Sequence, residues 1–226
     1  MSRKSEFTGT YQKPATMYLE WSSDEKCFKH YNKDTKENDL IPLPLTFLVL
    51  KEMHTVKGWH DKSQSGIYSN EVKNIGKEEI EVKAFKGGTL CRGIYKEIKD
   101  IISNVGGRYV KSIYAMTKEG EMINIQLKGA AVQEWGETFN KGKSRLADEW
   151  VTVEGADDRK KGKVNYSVPI FKFDKSLTEI EGKLADEVYD RLEKALSKDN
   201  TPSRVEEVAS DDDGDFSKLG EEELDF

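Results

Sequence analysis

The sequence predicts a mainly β protein with added helices, its strands closed into a small β-barrel. Three observations point there. An apolar run, Leu45-Thr46-Phe47-Leu48-Val49-Leu50, follows Pro42 and Pro44 and has the length and composition of a buried strand. Residues 79–86 alternate, with Ile80, Val82 and Ala84 on one side and Glu81, Lys83 and Phe85 on the other. Between strand-like stretches the period changes: Ile94, Ile98, Ile101, Ile102 and Val105 recur at helical spacing and stop at Gly106-Gly107.

Residues 1–16 are polar, contain Gly9 and Pro14, and read as a flexible arm. Residues 17–31 form a β-hairpin. Met17-Tyr18-Leu19-Glu20-Trp21 leads into a Ser22–Glu25 turn, and Lys26–Tyr31 alternates. Residues 32–39 are a charged connection. The apolar strand from Leu45 continues through Met53 and Val56 to Gly58-Trp59, and 61–65 is a polar loop. Gly66–Lys73 is a second strand and 79–86 a third, ended by Gly87-Gly88. The helix over 95–105 comes next. Strands over 109–117 and 121–128 flank a Lys118-Glu119-Gly120 turn. Residues 129–140 have a helical pattern (Ala130, Ala131, Trp135, Phe139). Residues 141–163 are charged, broken by a short Trp150–Val153 strand, and 164–173 is a further strand. Ser176, with Glu179 three residues on, has capping-box spacing for a last helix. Its stripe of Leu177, Ile180, Leu184, Val188, Leu192 and Leu196 packs on the body or serves as a homodimer seam; Asn200 and Pro202 end it.

Over 45–128 the order is three strands, a helix and two strands. That is the plan of the OB-fold, a five-stranded Greek-key barrel, here with an N-terminal hairpin and a C-terminal strand and helix extension. In that plan the outer face of the second and third strands and the neighbouring loops take oligonucleotides or sugars. The candidates for that face are Lys57, Trp59, Lys62, Tyr68, Lys83, Phe85, Lys86, Arg92 and Lys111. The chemistry suits unpaired nucleotides: bases expose π-faces to aromatic rings, and lysines and arginines follow phosphates with little regard for sequence. Phe47, Tyr114, Phe139, Phe171 and Phe173 read as core.

Charge separates the chain into two parts. Residues 205–226 hold ten acids and one base, a net −9, against −6 for all 226 residues, so residues 1–204 are +3. The divisions are an arm at 1–16, a barrel domain with extensions at 17–200, and a disordered acidic tail at 201–226. The tail ends Glu221-Glu222-Glu223-Leu224-Asp225-Phe226, an aromatic with no core to join, and reads as a hook for a protein pocket. No run approaches the roughly 20 apolar residues of a membrane span. No apolar leader follows Met1, and Cys27 and Cys91 make no disulfide framework. A reducing cytoplasm is the expected compartment, that of the host cell if the chain is phage-encoded.

The strand and helix order, with Asp211-Asp212-Asp213-Gly214-Asp215-Phe216 and Glu221-Glu222-Glu223-Leu224-Asp225-Phe226, resembles bacteriophage single-stranded DNA-binding proteins of the OB-fold type. The resemblance implies a non-enzymatic protein without cofactor. It would coat and protect single strands in DNA replication, recombination and repair. It would recruit polymerase, primase-helicase or nuclease through Asp211, Asp212, Asp213, Asp215, Phe216 and the last six residues.

Other motifs carry less. Cys27-x-x-His30 with His54 and His60 is a nominal zinc set, but both pairs lie in strands and far apart in sequence. Asp211, Asp213 and Asp215 begin like an EF-hand loop, yet Phe216 stands where that loop needs glycine. Gly142-Lys143-Ser144 follows a helix, unlike a P-loop, and Gly136 is one residue too far from it. Two alternatives stay open: a metal-dependent nuclease or other nucleic-acid enzyme, and an interaction module whose tail mimics DNA charge.

Overall fold

A computed structural model describes residues 14–198 of the chain. Residues 1–13 of the arm and the whole predicted tail, 201–226, lie outside the described residues. Eleven strands, β1 (Met17–Ser22), β2 (Cys27–Asn32), β3 (Glu37–Ile41), β4 (Leu45–His60), β5 (Ser65–Ser69), β6 (Glu79–Ala84), β7 (Gly88–Ile94), β8 (Gly107–Met116), β9 (Met122–Lys128), β10 (Glu149–Lys161) and β11 (Val164–Ser176), make the protein mainly β. Helix α1 (Tyr95–Asn104) separates β7 from β8. Helix α2 (Ala130–Phe139) runs into a 3₁₀ segment (Asn140–Ala147), and α3 (Glu179–Lys198) follows β11.

The sheet is open, with strand order β3-β2-β1-β9-β8-β4-β5-β6-β7. All of its pairings are antiparallel except β1 with β9. The expected closed barrel is therefore absent. Closure would bring β6 beside β9, but both flanks are taken: β7 pairs with β6, and β1 lies parallel along β9. Each of these additions satisfies the backbone groups a closing seam would use. The N-terminal hairpin lengthens the sheet instead of sealing it.

Strand β4 belongs to two sheets. Its first residues pair with β10 (Val151↔Phe47 to Val153↔Leu45), and a register shift between Val49 and Lys51 precedes its long pairing with β8. The β10–β11 ribbon folds over one face of the main sheet. It is tied to the β1–β2 turn by Ser167 N–H to Ser23 Oγ (2.6 Å) and by Lys26–Asp158 (2.6 Å).

Alternation in β8 and β9 fills both faces. Ile113, Ile123, Ile125 and Leu127 meet Trp135 and Phe139 of α2 and Phe171 of β11. On the opposite face Tyr114, Met116 and Met122 lie under Ala185, Val188 and Leu192 of α3. A third cluster joins Val56, Ile67, Ile80 and Val82 to Ile98 and Ile102 of α1. Each such aliphatic side chain, fully buried, contributes about 1.5–3 kcal/mol. Of the aromatics expected in the core, Phe47, Tyr114, Phe139 and Phe171 are buried and Phe173 is half-buried.

Several boundaries differ from the sequence reading. The charged connection contains β3, and β7 occupies the stretch after Gly87; both are edge strands with little buried surface, so neither shows alternation. Gly66–Lys73 shortens to β5, with Val72 making a single bridge to His54. The short 150–153 strand extends to Lys161, because its outer half pairs only with β11 in solvent. Ser176 ends β11; the capping box is Thr178 with Glu181, whose carboxylate accepts from the Thr178 N–H and hydroxyl at 2.7 Å. Ile180 is 81% exposed and leaves the α3 stripe. Ala15, placed in the arm, is buried in the cluster that α3 covers, and Thr16 N–H donates to Met122 O.

Candidate nucleic-acid interface

Direct cross-strand partners share a face of a sheet. Lys57 of β4 stands opposite Arg108 of β8 on one side and Tyr68 of β5 on the other, and Tyr68 stands opposite Lys83 of β6. Arg108, Lys57, Tyr68 and Lys83 thus form one row across four strands. The reverse side of the same strands is the apolar cluster under α1, so the row faces away from it.

The next row is aromatic. Trp59, 38% exposed, pairs with Gly66. The Phe85 ring lies over that glycine, its edge 3.4 Å from where a Cβ would stand. Tyr68 and Phe85 are neighbours, with centroids 4.8 Å apart and planes tilted by 40°. Beyond them Lys62 in the β4–β5 turn and Lys86 in the β6–β7 turn are exposed. The β6–β7 turn is joined to the start of β5 by Lys86 N–H to Ser65 Oγ (3.1 Å).

Glycines set the approach of β8. A Cβ on Gly58 would stand 2.1 Å from Gly106 O, and Gly106 itself has φ +91°. Only glycine lets the α1–β8 turn lie this close to β4, and that contact brings Arg108 beside Lys57.

The acids of this face are engaged. Glu81 pairs with Lys83 (2.9 Å) and Glu79 with Arg92 (2.8 Å). Hydrogen bonding to Lys83 holds Glu81 below its ordinary range. Lys57 Nζ donates to Gln126 Oε1 at 2.7 Å and lies 5.8 Å from the Tyr18 ring centroid.

Eight of the nine candidates, Lys57, Trp59, Lys62, Tyr68, Lys83, Phe85, Lys86 and Arg92, fall on this face or its rim. Lys111 does not. It points to the opposite face of β8, where it meets Glu52 at 3.1 Å. Glu52 also accepts from Trp135 Nε1 (2.7 Å) and pairs with Lys143 (2.9 Å). Burial opposes the Glu52 charge, but Lys111 and the hydrogen bonds from Lys143, Trp135 and Lys111 outweigh it and bring the carboxyl to about 2. Beside it His54 shares a 2.5 Å hydrogen bond with the Tyr109 hydroxyl. Burial first, then the Lys111 charge, lowers His54 to about 4. A cleft of about 30 Å³ opens here, room for a water. This cluster fastens α2 and the 3₁₀ segment to β4.

Arg108 was missed because the strand was read as starting at Tyr109, two residues late, and nothing in the sequence pairs it with Lys57. The histidines of the nominal zinc set lie apart, His30 on Tyr18 O and His60 on Ser63. Among the described residues no group of His, Cys, Asp or Glu is arranged to hold a metal, Cys27 and Cys91 are free thiols, and no helix is long and apolar enough to cross a membrane. No protein-family model, curated protein or solved structure matches the chain.

Proposed function

We propose that this protein binds single-stranded DNA without catalysis, through the outer face of β4, β5 and β6. The observation that carries the reading is the row Arg108–Lys57–Tyr68–Lys83 beside the rings of Phe85 and Trp59. Cations for phosphates and rings for bases alternate within a few ångströms, as sequence-tolerant single-strand recognition needs. The fold supports it: β6, β5, β4, β8 and β9 lie side by side in the order of an OB-fold, opened by β7 and β1. By this reading the protein coats single strands in replication, recombination and repair of a phage-type genome. The acidic tail ending in Phe226 engages polymerase, primase-helicase or nuclease partners.

The test is a fluorescence titration with poly-dT and with duplex DNA over a salt series. Poly-dT should quench tryptophan emission, bind more tightly than duplex and weaken steeply with salt. Deleting residues 205–226 removes a net charge of −9 and should preserve or strengthen binding while abolishing partner stimulation. Cleavage of labelled strands in Mg²⁺ or Mn²⁺ would favour a nuclease. Equal, salt-insensitive binding to both DNAs, or none, would end the reading.

A further inference from the structure

The face that carries Tyr68 and Lys83 does not stop at β4. Ser112 of β8, Gln126 of β9, Glu20 of β1 and Lys29 of β2 are successive cross-strand partners on the same face, in line with Met53 of β4, four residues before Lys57. At the centre of that line the side chains are polar and buried. Ser112 and Asn124 are 0% exposed and Gln126 is 2% exposed. Buried amides cost free energy unless hydrogen-bonded, and these form a chain. Asn124 donates to Ser112 (2.7 Å), Gln126 donates to Asn124 (3.1 Å), and Lys57 donates to Gln126 (2.7 Å). The chain fixes the Lys57 ammonium beside β1.

The charge of that ammonium acts on Glu20 of β1. Lys128 Nζ lies 2.9 Å from its carboxylate, Lys29 is its partner across β1–β2, and the charges of Lys128, Lys57 and Lys29 all act on it. Lysines of three strands thus act on one carboxylate, Lys128 in direct contact with it. A phosphodiester carries the same single negative charge.

We infer that the nucleic-acid path crosses β8 and β9 onto β1 and β2, and that Glu20 holds the place of a backbone phosphate among Lys29, Lys57 and Lys128 until DNA displaces it. The inference rests on the single-strand reading above and extends it. From β6 to β2 the path crosses seven strands, about 30 Å at roughly 4.8 Å per interval. Glu20 makes the far half of the path conditional: DNA must compete with a tethered anion there, which limits affinity and speeds release.

The experiment titrates full-length wild type, Glu20→Gln, Lys29→Gln/Lys128→Gln and, as a control on α3, Lys183→Gln with poly-dT over a salt series. Lys57 is left intact, so the Tyr68 row is untouched. Glu20→Gln should bind more tightly and steepen the log K against log[salt] slope by about 0.7, one more phosphate contact on a single strand. Lys29→Gln/Lys128→Gln should flatten the slope by about 1.4. Lys183→Gln should change neither. If wild type binds poly-dT but both test variants keep its slope, the extension is overturned and the single-strand reading stands. If wild type does not bind, both fall. Should Glu20→Gln fail to fold, the double lysine variant decides alone, since Lys128 is 44% exposed.

Discussion

The rings of Tyr68 and Phe85, one within β5 and the other just past β6, lie with centroids 4.8 Å apart. Sheet register brings them together: Ile67 pairs with Ala84, and Phe85 N–H donates to Gly66 O at 3.1 Å. They form a two-ring platform, flanked by Lys83 and backed by the glycine that leaves it room.

Tyr68→Ala and Phe85→Ala should each weaken poly-dT binding by about 1–3 kcal/mol. The salt slope should stay at the wild-type value, because no phosphate contact is removed. Equilibrium titration at several salt concentrations separates the two effects.

Charge on the two faces of the sheet should behave differently. Lys83→Ala and Arg108→Ala should each lower the magnitude of the salt slope by about 0.7. Lys111→Ala should leave the slope unchanged and instead destabilise the protein by roughly 1.5–3 kcal/mol, since Glu52 loses one charged partner and keeps Lys143 and Trp135. Urea denaturation beside DNA titration checks both.

Acid should weaken the fold in two stages. His54, lowered to about 4, is kept neutral in the fold, so the unfolded chain takes its proton first and stability falls from about pH 6.5 to pH 4. Glu52, lowered to about 2, contributes stability that is complete above its ordinary 4.5 and lost as pH falls through 2. Each stage is at most roughly 3 kcal/mol. Denaturant unfolding from pH 7 to pH 2 should show both. His54→Gln should remove the upper stage and Glu52→Gln the lower.

The start of α3 gives a matched pair. Thr178→Ala should cost about 1 kcal/mol by removing the cap. Ser176→Ala, at the end of β11, should change stability by less than about 0.5 kcal/mol. Thermal melts of the two variants compare them directly.

How much of this was legible depends on burial. The alternation of Ile80, Val82 and Ala84 was readable because one side of β6 is fully buried, and it put Lys83 outward. Strands β3 and β7 were not, since edge strands in solvent need no apolar side. Both Ser176/Glu179 and Thr178/Glu181 have box spacing, and only the length of β11 decides between them. Tertiary pairing decided the rest. Nothing local tells Arg108 from Lys111, yet three positions along a strand turn one toward Lys57 and the other toward Glu52. The missing barrel closure was equally hidden, because it turns on β1 finding β9 across a long separation in sequence.

Strand β4 leaves one more mark. Val151 and Val153 hold its beginning, Val110 and Ile113 its middle, and Ile67 its end. Stripping any one neighbour exposes a strand on which the others depend, so the halves cannot melt separately. Differential scanning calorimetry should record a single endotherm whose calorimetric and van't Hoff enthalpies agree; two resolved peaks would mean that the shared strand transmits nothing.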